Sequence, residues 1–274
     1  MTLLTAWESN TRLVGLYVAT GCITNEQAQS ILLVGPYGQG KSEMIRRFGS
    51  IPSVRMMTDM TQFGIRAICD EDGDSRVRHI AITEMDRLFS RDKATRGAAL
   101  GLLTNLMTGD VGEEYIGMHK FDFRRRQFGV IAAMTTGQYH QNRTEMAQSG
   151  MLSRFQVMFI DRTEEERLRV RTNILRRVKS DLSAINWKQL FHRGEVLYDS
   201  ALAEEMHEWL ENTPGIPSDE RFTSRFIVLL KACAWLSGNT LAARYDFGTL
   251  KLFAPYFAGH HFVQLDWPFH SPRS

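Results

Sequence analysis

Ile31-Leu32-Leu33-Val34-Gly35-Pro36-Tyr37-Gly38-Gln39-Gly40-Lys41-Ser42 is the stretch that decides the fold. An apolar run of strand length leads directly into the pattern GxxxxGKS, and residues 43–48 resemble the start of a helix. Its glycines let the backbone turn tightly and point its N–H groups at an anion, with the positive end of the next helix behind them. Lys41 can reach the β and γ phosphates of a nucleotide, and the Ser42 hydroxyl can ligate Mg²⁺. The stretch therefore predicts a loop that binds a nucleoside triphosphate through Gly35, Pro36, Tyr37, Gly38, Gln39, Gly40, Lys41 and Ser42.

The composition is that of an ordinary globular protein. The chain has 274 residues, of which 43% are hydrophobic and 23% are charged, enough for one large α/β domain and a smaller helical one. The net charge of +2 is close to balance, so binding to nucleic acid would need a local basic patch. Cys22, Cys69 and Cys233 follow no disulfide or zinc spacing. We expect them to be small buried side chains in a reducing cytoplasm, and we find no membrane-spanning segment in the sequence.

Short apolar segments alternate with helical patterns from the phosphate-binding stretch to about residue 180. Further strands are predicted at 54–57, 79–83, 128–134 and 156–160, and helices at 96–107 and 164–179. This alternation predicts an α/β fold with a parallel, mainly βαβ sheet. We expect the strand at 79–83 to lie beside the first strand, because parallel strands deliver their C-terminal ends to one crevice. Glu84, which follows that strand, would then reach the metal and the attacking water of the nucleotide.

The two ends of the chain have helical patterns. Residues 3–24 predict one or two helices that pack on the edge of the nucleotide domain, with a possible short helix beginning near Thr24. From about residue 180 only helices are predicted, including 201–210 and 222–236. We therefore expect two domains: residues 1–180, with the N-terminal helices and the nucleotide-binding α/β domain, and residues 181–274, a small all-helical domain.

The order of these motifs resembles that of the AAA+ ATPases, and most closely that of the MCM helicases among them. Residues 82–88, ITEMDRL, resemble the Walker B block IDEFDKM of that family. Residues 129–135, GVIAAMT, are similar to its sensor-one strand, and residues 152–159, LSRFQVMF, resemble LSRFDLIF, the block that carries the arginine finger. Residues 223–225, TSR, followed by an apolar helix, resemble the sensor-two block. The resemblance covers most of residues 31–240 in short blocks, and it identifies residues 181–274 as a helical lid.

This resemblance implies a homo-oligomeric ring, expected to be a hexamer, with ATP and Mg²⁺ held between neighbouring subunits. Lys41 and Mg²⁺ would neutralise the phosphates, with Ser42 and Glu84 near the metal. Glu84 would orient or deprotonate the attacking water, and Thr135 would fix that water or the γ-phosphate. Arg154 would reach the γ-phosphate of the adjacent subunit, where such a group can raise the rate by about 10³–10⁵. Arg225 takes the sensor-two role.

One position departs from the family pattern. The metal-associated Asp of the Walker B block aligns with Thr83, whose neutral hydroxyl replaces a carboxylate. Three readings stay open at this point. Glu84 and Ser42 suffice for the metal, or Asp86 compensates, or the protein is a slow ATPase that works as a switch.

A basic and aromatic segment precedes the sensor-one strand, inside a hairpin predicted at 112–128. In MCM-like proteins this hairpin projects into the central channel. Basic groups follow phosphates and aromatic rings stack on bases, which suits single-stranded DNA. The alternative places the arginines at a subunit interface and the aromatic rings in the core. The candidate contacts to nucleic acid are Lys120, Arg124, Arg125 and Arg126.

The leading hypothesis is an MCM-like AAA+ ATPase that acts on DNA as a helicase core, helicase loader or DNA-bound regulator, in replication or in a mobile element. Two alternatives stay open. A protein remodeller, as the MoxR-like ATPases are, is favoured by the near-neutral charge and by the few residues before the phosphate loop, which leave no room for an accessory DNA-binding domain. An ATP-gated scaffold that barely hydrolyses its nucleotide is favoured by Thr83.

Overall fold

The computed structural model describes residues 6–57, 64–65, 76–109, 113–116, 119–122, 127–161, 163–175, 186–217 and 219–257. The strands are β1 (Ser30–Gly35), β2 (Val54–Met57), β3 (His79–Ile82), β4 (Glu113–Ile116), β5 (His119–Asp122), β6 (Gly129–Thr135), β7 (Phe155–Phe159), β8 (Leu197–Tyr198) and β9 (Leu241–Ala242). The helices are α1 (Ala6–Thr20), α2 (Lys41–Arg46), α3 (Asp86–Phe89), α4 (Lys93–Thr108), α5 (Thr136–Gln148), α6 (Glu164–Leu175), α7 (Ser200–Asn212), α8 (Glu220–Leu236), α9 (Arg244–Lys251) and α10 (Ala254–Phe257). Turns of 3₁₀ helix lie at Leu152–Arg154 and Trp187–Phe191.

The centre of the fold is a five-stranded sheet in the order β2-β3-β6-β1-β7. All neighbouring strands in it are parallel, so the predicted α/β fold with a parallel sheet is confirmed. The expectation that β3 lies beside β1 was wrong, because β6 lies between them and pairs with both. The physical reason is visible in β6 itself. All its residues are buried and all but Thr135 are apolar, which suits the central position of the sheet.

Side chains alternate between the two faces of the sheet, as the two-residue period of a strand requires. In β1, Ile31 and Leu33 face one core, whereas Leu32 and Val34 face the other. The first core is completed by α1, α2 and the helices α7–α10. The second core is completed by α3, α4 and α5. The sheet is therefore covered on both faces, and the end of β1 is held between two packed layers.

The N-terminal helix is part of the first core. Its residues Leu13, Val14 and Tyr17 are fully buried, and α1 contacts α2, β1 and α8. The expectation that this segment packs on an edge was therefore wrong, since its apolar residues are enclosed by the sheet on one side and α8 on the other. Nor does a short helix begin near Thr24, because residues 21–26 form turns and a bridge between Ile23 and Gly194.

The C-terminal part is mainly helical, with α8 packed against α1 and α9. It is not helical throughout, because β8 and β9 form a short parallel pair in which Leu197 lies opposite Leu241. Its apolar residues join those of α1 and the sheet in one continuous core. The predicted domain boundary near residue 180 lies outside the described residues and stays a prediction.

Three further predictions concern smaller features. The predicted hairpin is confirmed by the antiparallel pair β4–β5, in which Tyr115 lies opposite Lys120; Arg124, Arg125 and Arg126 lie outside the described residues. Cys22 and Cys233 are buried thiols, as predicted, and Cys69 lies outside the described residues. Within the described ranges, none of the helices has the length and apolar character needed to span a bilayer.

Substituting Gly35 by Ala is expected to destabilise the protein, because a Cβ at this position would lie 2.2 Å from the backbone oxygen of Ile160. Such overpacking costs about 1–3 kcal/mol. The matched control is Gly97→Ala in α4, where a Cβ meets nothing within 4 Å. That change should stabilise the helix by roughly 0.5–1 kcal/mol. Urea unfolding measures both values, and equal stabilities of the two variants would contradict the prediction.

Candidate functional site

The predicted phosphate-binding stretch, residues 35–42, forms a tight turn between β1 and α2 and is called the phosphate-binding turn below. Gly38 has a φ of 74° and Gly40 a φ of 76°, the left-handed region that residues with a Cβ enter at a cost of roughly 1–2 kcal/mol. Pro36 and Tyr37 are exposed at the tip, and Gln39 is buried. Two of the glycines predicted to shape the loop, Gly38 and Gly40, therefore occupy conformations that favour glycine.

This turn lies at the point where the sheet reverses its winding direction. β1 is followed by α2, whose Met44 and Ile45 belong to the first core. The neighbouring strand β6 is followed by α5, whose Tyr139 and Met146 belong to the second core, on the opposite face. A crevice opens where helices leave adjacent parallel strands toward opposite faces, and ligands of α/β sheets bind in that crevice. The fold therefore places the glycine-rich turn at the edge of the sheet where ligands bind in other α/β proteins.

Lys41 is buried within the turn. Its Nζ donates hydrogen bonds to the carbonyl oxygens of Gly35 and Pro36, each at 2.7 Å. Burial lowers the pKa of Lys41, and the carboxylate of Asp86 acts in the opposite direction. A partly desolvated ammonium that donates to neutral carbonyl oxygens gains from an anionic acceptor. The lysine is thus suited to take phosphate oxygens.

Ser42 connects the turn with the end of β3. Its Oγ donates to the carbonyl oxygen of Thr83 at 3.0 Å. The side chain of Thr83 itself is buried. Because Oγ uses its proton in this bond, its lone pairs stay available to a cation. The phosphate-binding turn and the predicted Walker B segment therefore meet, although β3 and β1 are not neighbours.

Glu84, the predicted catalytic carboxylate, is exposed. Its Oε2 forms an ion pair with Nε of Arg87 at 2.7 Å, and the two side chains are 45% and 60% exposed. Exposed pairs of this kind contribute little to stability, about 0.2–1 kcal/mol. Glu84 can therefore change its rotamer at little cost, although its ion pair directs it toward Arg87 in this structure.

Asp86 and Thr135 meet between the ends of β3 and β6. The backbone N–H of Thr135 donates to Oδ1 and Oδ2 of Asp86 at 3.1 and 3.3 Å. The hydroxyl oxygen of Thr135 accepts from the backbone N–H of Gln138 at 3.4 Å and so caps α5. Thr135 thus lies at the end of β6, opposite Gly35 of β1, with its hydroxyl proton available as a donor. Its role as a sensor residue stays a prediction.

Arg154 ends the 3₁₀ turn before β7. Its Nη1 donates to the carbonyl oxygen of Gly150 at 2.6 Å. Gly150 has a φ of 71°, and a Cβ there would lie 2.8 Å from the same Nη1. The guanidinium is therefore folded against its own chain, and the glycine makes room for it. Its role as an arginine finger stays a prediction.

Arg225 lies against the segment that carries Arg154. Its Nη2 is 3.4 Å from the carbonyl oxygen of Ser153 and 3.3 Å from that of Arg154. One turn earlier in α8, Arg221 Nη1 donates to Ser153 Oγ at 3.0 Å. The hydrogen bonds of Arg225 thus join it to the segment that carries Arg154, and its sensor-two contact with nucleotide stays a prediction.

Sequence reasoning gave two residues of this region too little weight. The sequence pattern presents Asp86 only as a substitute for Thr83, because it does not specify the path of the chain after β3. Arg221 was not singled out. The signal for it was its spacing of four residues from Arg225, which places both on one face of α8. The sequence matches no protein-family model, and no curated protein matches it.

Proposed function

We propose that this protein is an AAA+ ATPase, similar to the MCM helicases, that binds ATP with Mg²⁺ and assembles into a ring on DNA. The observation that carries the proposal is the Ser42–Thr83 hydrogen bond of 3.0 Å. It joins a glycine-rich turn of GxxxxGKS sequence to the segment that bears the acidic residues. With Thr135 on the intervening strand, three separate sequence motifs converge at one edge of the sheet, as a nucleotide site requires.

The residues of the turn fit a nucleotide with its cation. Lys41 is a buried ammonium bonded to neutral carbonyl oxygens, and the Ser42 oxygen retains lone pairs. Together these groups would hold the phosphates and Mg²⁺. The cation, when bound, neutralises charge that develops on the phosphate oxygens.

Hydrolysis assigns one role to each of the remaining residues. Glu84 leaves Arg87 and accepts a proton from the attacking water. Thr135 donates its hydroxyl proton to that water or to the γ-phosphate. The water oxygen would bond to the γ-phosphorus as the bond from that phosphorus to the β–γ bridging oxygen breaks, which gives ADP and inorganic phosphate. A helical lid formed by residues 181–274 belongs to the same proposal, supported by the helices α7–α10.

A second candidate is an ATP-gated scaffold with little turnover. It is favoured by the neutral side chain of Thr83 and by the Glu84–Arg87 ion pair, which directs Glu84 away from catalysis. A protein remodeller remains the further alternative, and its distinguishing property is activity that ignores DNA.

Steady-state ATP turnover, measured with and without single-stranded DNA, separates these functions. The proposed function predicts turnover that DNA stimulates. Turnover of equal rate with and without DNA supports the protein remodeller, and near-zero turnover with normal ATP binding supports the scaffold. Absence of both binding and turnover rejects all three.

Mixing two inactive variants tests whether the site is shared between subunits. Arg154→Ala removes the proposed finger and Glu84→Gln removes the proposed base, so each homogeneous ring should be inactive. A mixed ring contains interfaces in which both groups are intact, and these should restore part of the activity. The measurement is ATP turnover against mixing ratio. If no ratio restores activity although the subunits co-assemble, Arg154 does not act in trans.

A further inference from the structure

We propose that Asp86 supplies, to the divalent cation that accompanies ATP, the negative charge that is missing at Thr83. The inference rests on the proposed function and extends it, because it names a residue of this chain that takes over a role left vacant by the sequence pattern. Three carboxylate or hydroxyl groups follow β3 within four residues: Thr83, Glu84 and Asp86. In the structure these three side chains point in different directions and have different partners.

Thr83 cannot supply charge. Its side chain is buried and neutral, and its carbonyl oxygen accepts the Ser42 hydroxyl. A divalent cation prefers carboxylate oxygens, and its bound water donates most strongly to a negative acceptor. Thr83 therefore offers a neutral hydroxyl at a position where a carboxylate would stabilise the bound cation more strongly.

Glu84 is directed elsewhere. Its Oε2 is paired with Arg87, and nearly half of its side chain is exposed. A carboxylate already neutralised by a guanidinium lowers the energy of a cation less than an unpaired one does. Glu84 therefore keeps its proposed role, which is to accept a proton from the attacking water. It takes this role once its ion pair with Arg87 has opened.

Asp86 is directed toward the site. Both of its carboxylate oxygens accept the single N–H of Thr135 at the end of β6, the strand beside β1. One shared N–H leaves further lone pairs on both oxygens. The side chain is partly buried, which weakens screening of its charge by water.

The register of the sheet brings Asp86 close to the phosphate-binding turn. Thr135, whose N–H the Asp86 carboxylate accepts, lies directly opposite Gly35, where the turn begins. The carbonyl oxygen of Gly35 in turn accepts a hydrogen bond from Lys41, the residue before Ser42. Asp86 is therefore bonded to the strand that lies beside the turn.

The test compares nucleotide affinity with and without magnesium. A fluorescent, non-hydrolysable ATP analogue is titrated into the full chain in excess MgCl₂ and in EDTA, and MgCl₂ is then titrated at fixed analogue. Asp86→Asn removes the charge but keeps an oxygen that accepts the Thr135 N–H, so the fold is retained. Asp86→Ser repeats the test with a smaller acceptor. The control is Glu43→Gln, a change from carboxylate to amide on the exposed side of α2.

Asp86→Asn is expected to raise the half-saturating magnesium concentration by roughly 10–100-fold, the range found for groups that support metal ligands. Affinity in EDTA should change little, and Glu43→Gln should behave as the wild type does. Thr83→Asp combined with Asp86→Asn should restore the magnesium dependence. Wild-type magnesium dependence in both Asp86 variants overturns the inference while leaving the proposed function intact. A wild-type protein that binds no analogue in either buffer overturns both.

Discussion

Lys41→Ala is expected to abolish ATP binding at micromolar to low millimolar nucleotide. The ammonium of Lys41 is buried and donates to the carbonyl oxygens of Gly35 and Pro36, so it is held at the turn before any phosphate arrives. Losing a buried, hydrogen-bonded charge from a binding site costs about 2–5 kcal/mol. Binding of a fluorescent ATP analogue measures the loss directly.

The control for this prediction is Lys93→Ala. It removes an equal charge from an exposed position at the start of α4, and it should leave nucleotide affinity within about twofold, since surface changes are usually within ±0.5 kcal/mol. Melting curves without nucleotide check that both variants fold. Unchanged affinity in a folded Lys41→Ala protein would refute the phosphate-binding assignment of residues 35–42.

Glu84→Gln is expected to separate binding from turnover. The amide cannot accept a proton from water at neutral pH, and loss of a positioned base lowers rates by roughly 10²–10⁴-fold. Nucleotide affinity should stay near that of the wild type, because Glu84 is exposed and contributes little to the packing of the turn. Single-turnover hydrolysis and analogue binding measure the two quantities on the same sample.

Arg87→Gln is the matched control, because it opens the same 2.7 Å ion pair but leaves the carboxylate in place. It should preserve turnover, or raise it slightly if the pair holds Glu84 away from the water. Equal turnover in Glu84→Gln and the wild type would remove Glu84 from the chemistry. A matching loss in Arg87→Gln would show that the ion pair itself supports the active arrangement.

Much of the sheet could be predicted from the sequence, because its strands are short apolar runs bounded by turn residues. The segments 54–57, 79–83 and 128–134 each overlap an observed strand. The lateral order could not be predicted. Local periodicity says which residues of a strand are buried, but it does not say which strand lies beside which. The place of β6 between β1 and β3 follows from tertiary packing.

The candidate site, too, could be predicted only in part from the sequence. The glycines of residues 35–40 could be predicted from the sequence, because Gly38 and Gly40 have a positive φ and Gly35 lies too close to the backbone of Ile160 to carry a Cβ. Side-chain orientation is not visible in this way. Glu84 and Asp86 are both carboxylates after one strand, yet one pairs with Arg87 and the other with the Thr135 N–H. Which one turns toward the sheet depends on the path of α3, and the sequence pattern does not specify that path.

The role of α8 also emerged only from the structure. Arg221 and Arg225 both bond to the segment before β7, which connects the C-terminal helices with Arg154. The sequence pattern predicted a helix over 222–236, and α8 spans Glu220–Leu236. It could not predict that two of its cations meet carbonyl and hydroxyl oxygens of one 3₁₀ turn, because the two segments lie far apart along the chain.

Mass in solution, measured without nucleotide, with ATP and Mg²⁺, and with ATP, Mg²⁺ and a short single-stranded DNA, tests the central claim most directly. The proposed function predicts that the mass rises from that of a small species to that of a ring when ATP and Mg²⁺ are added. In the third sample the mass should rise further, because the ring binds the DNA. A monomer in all three samples, at concentrations where nucleotide is bound, would contradict an AAA+ ring.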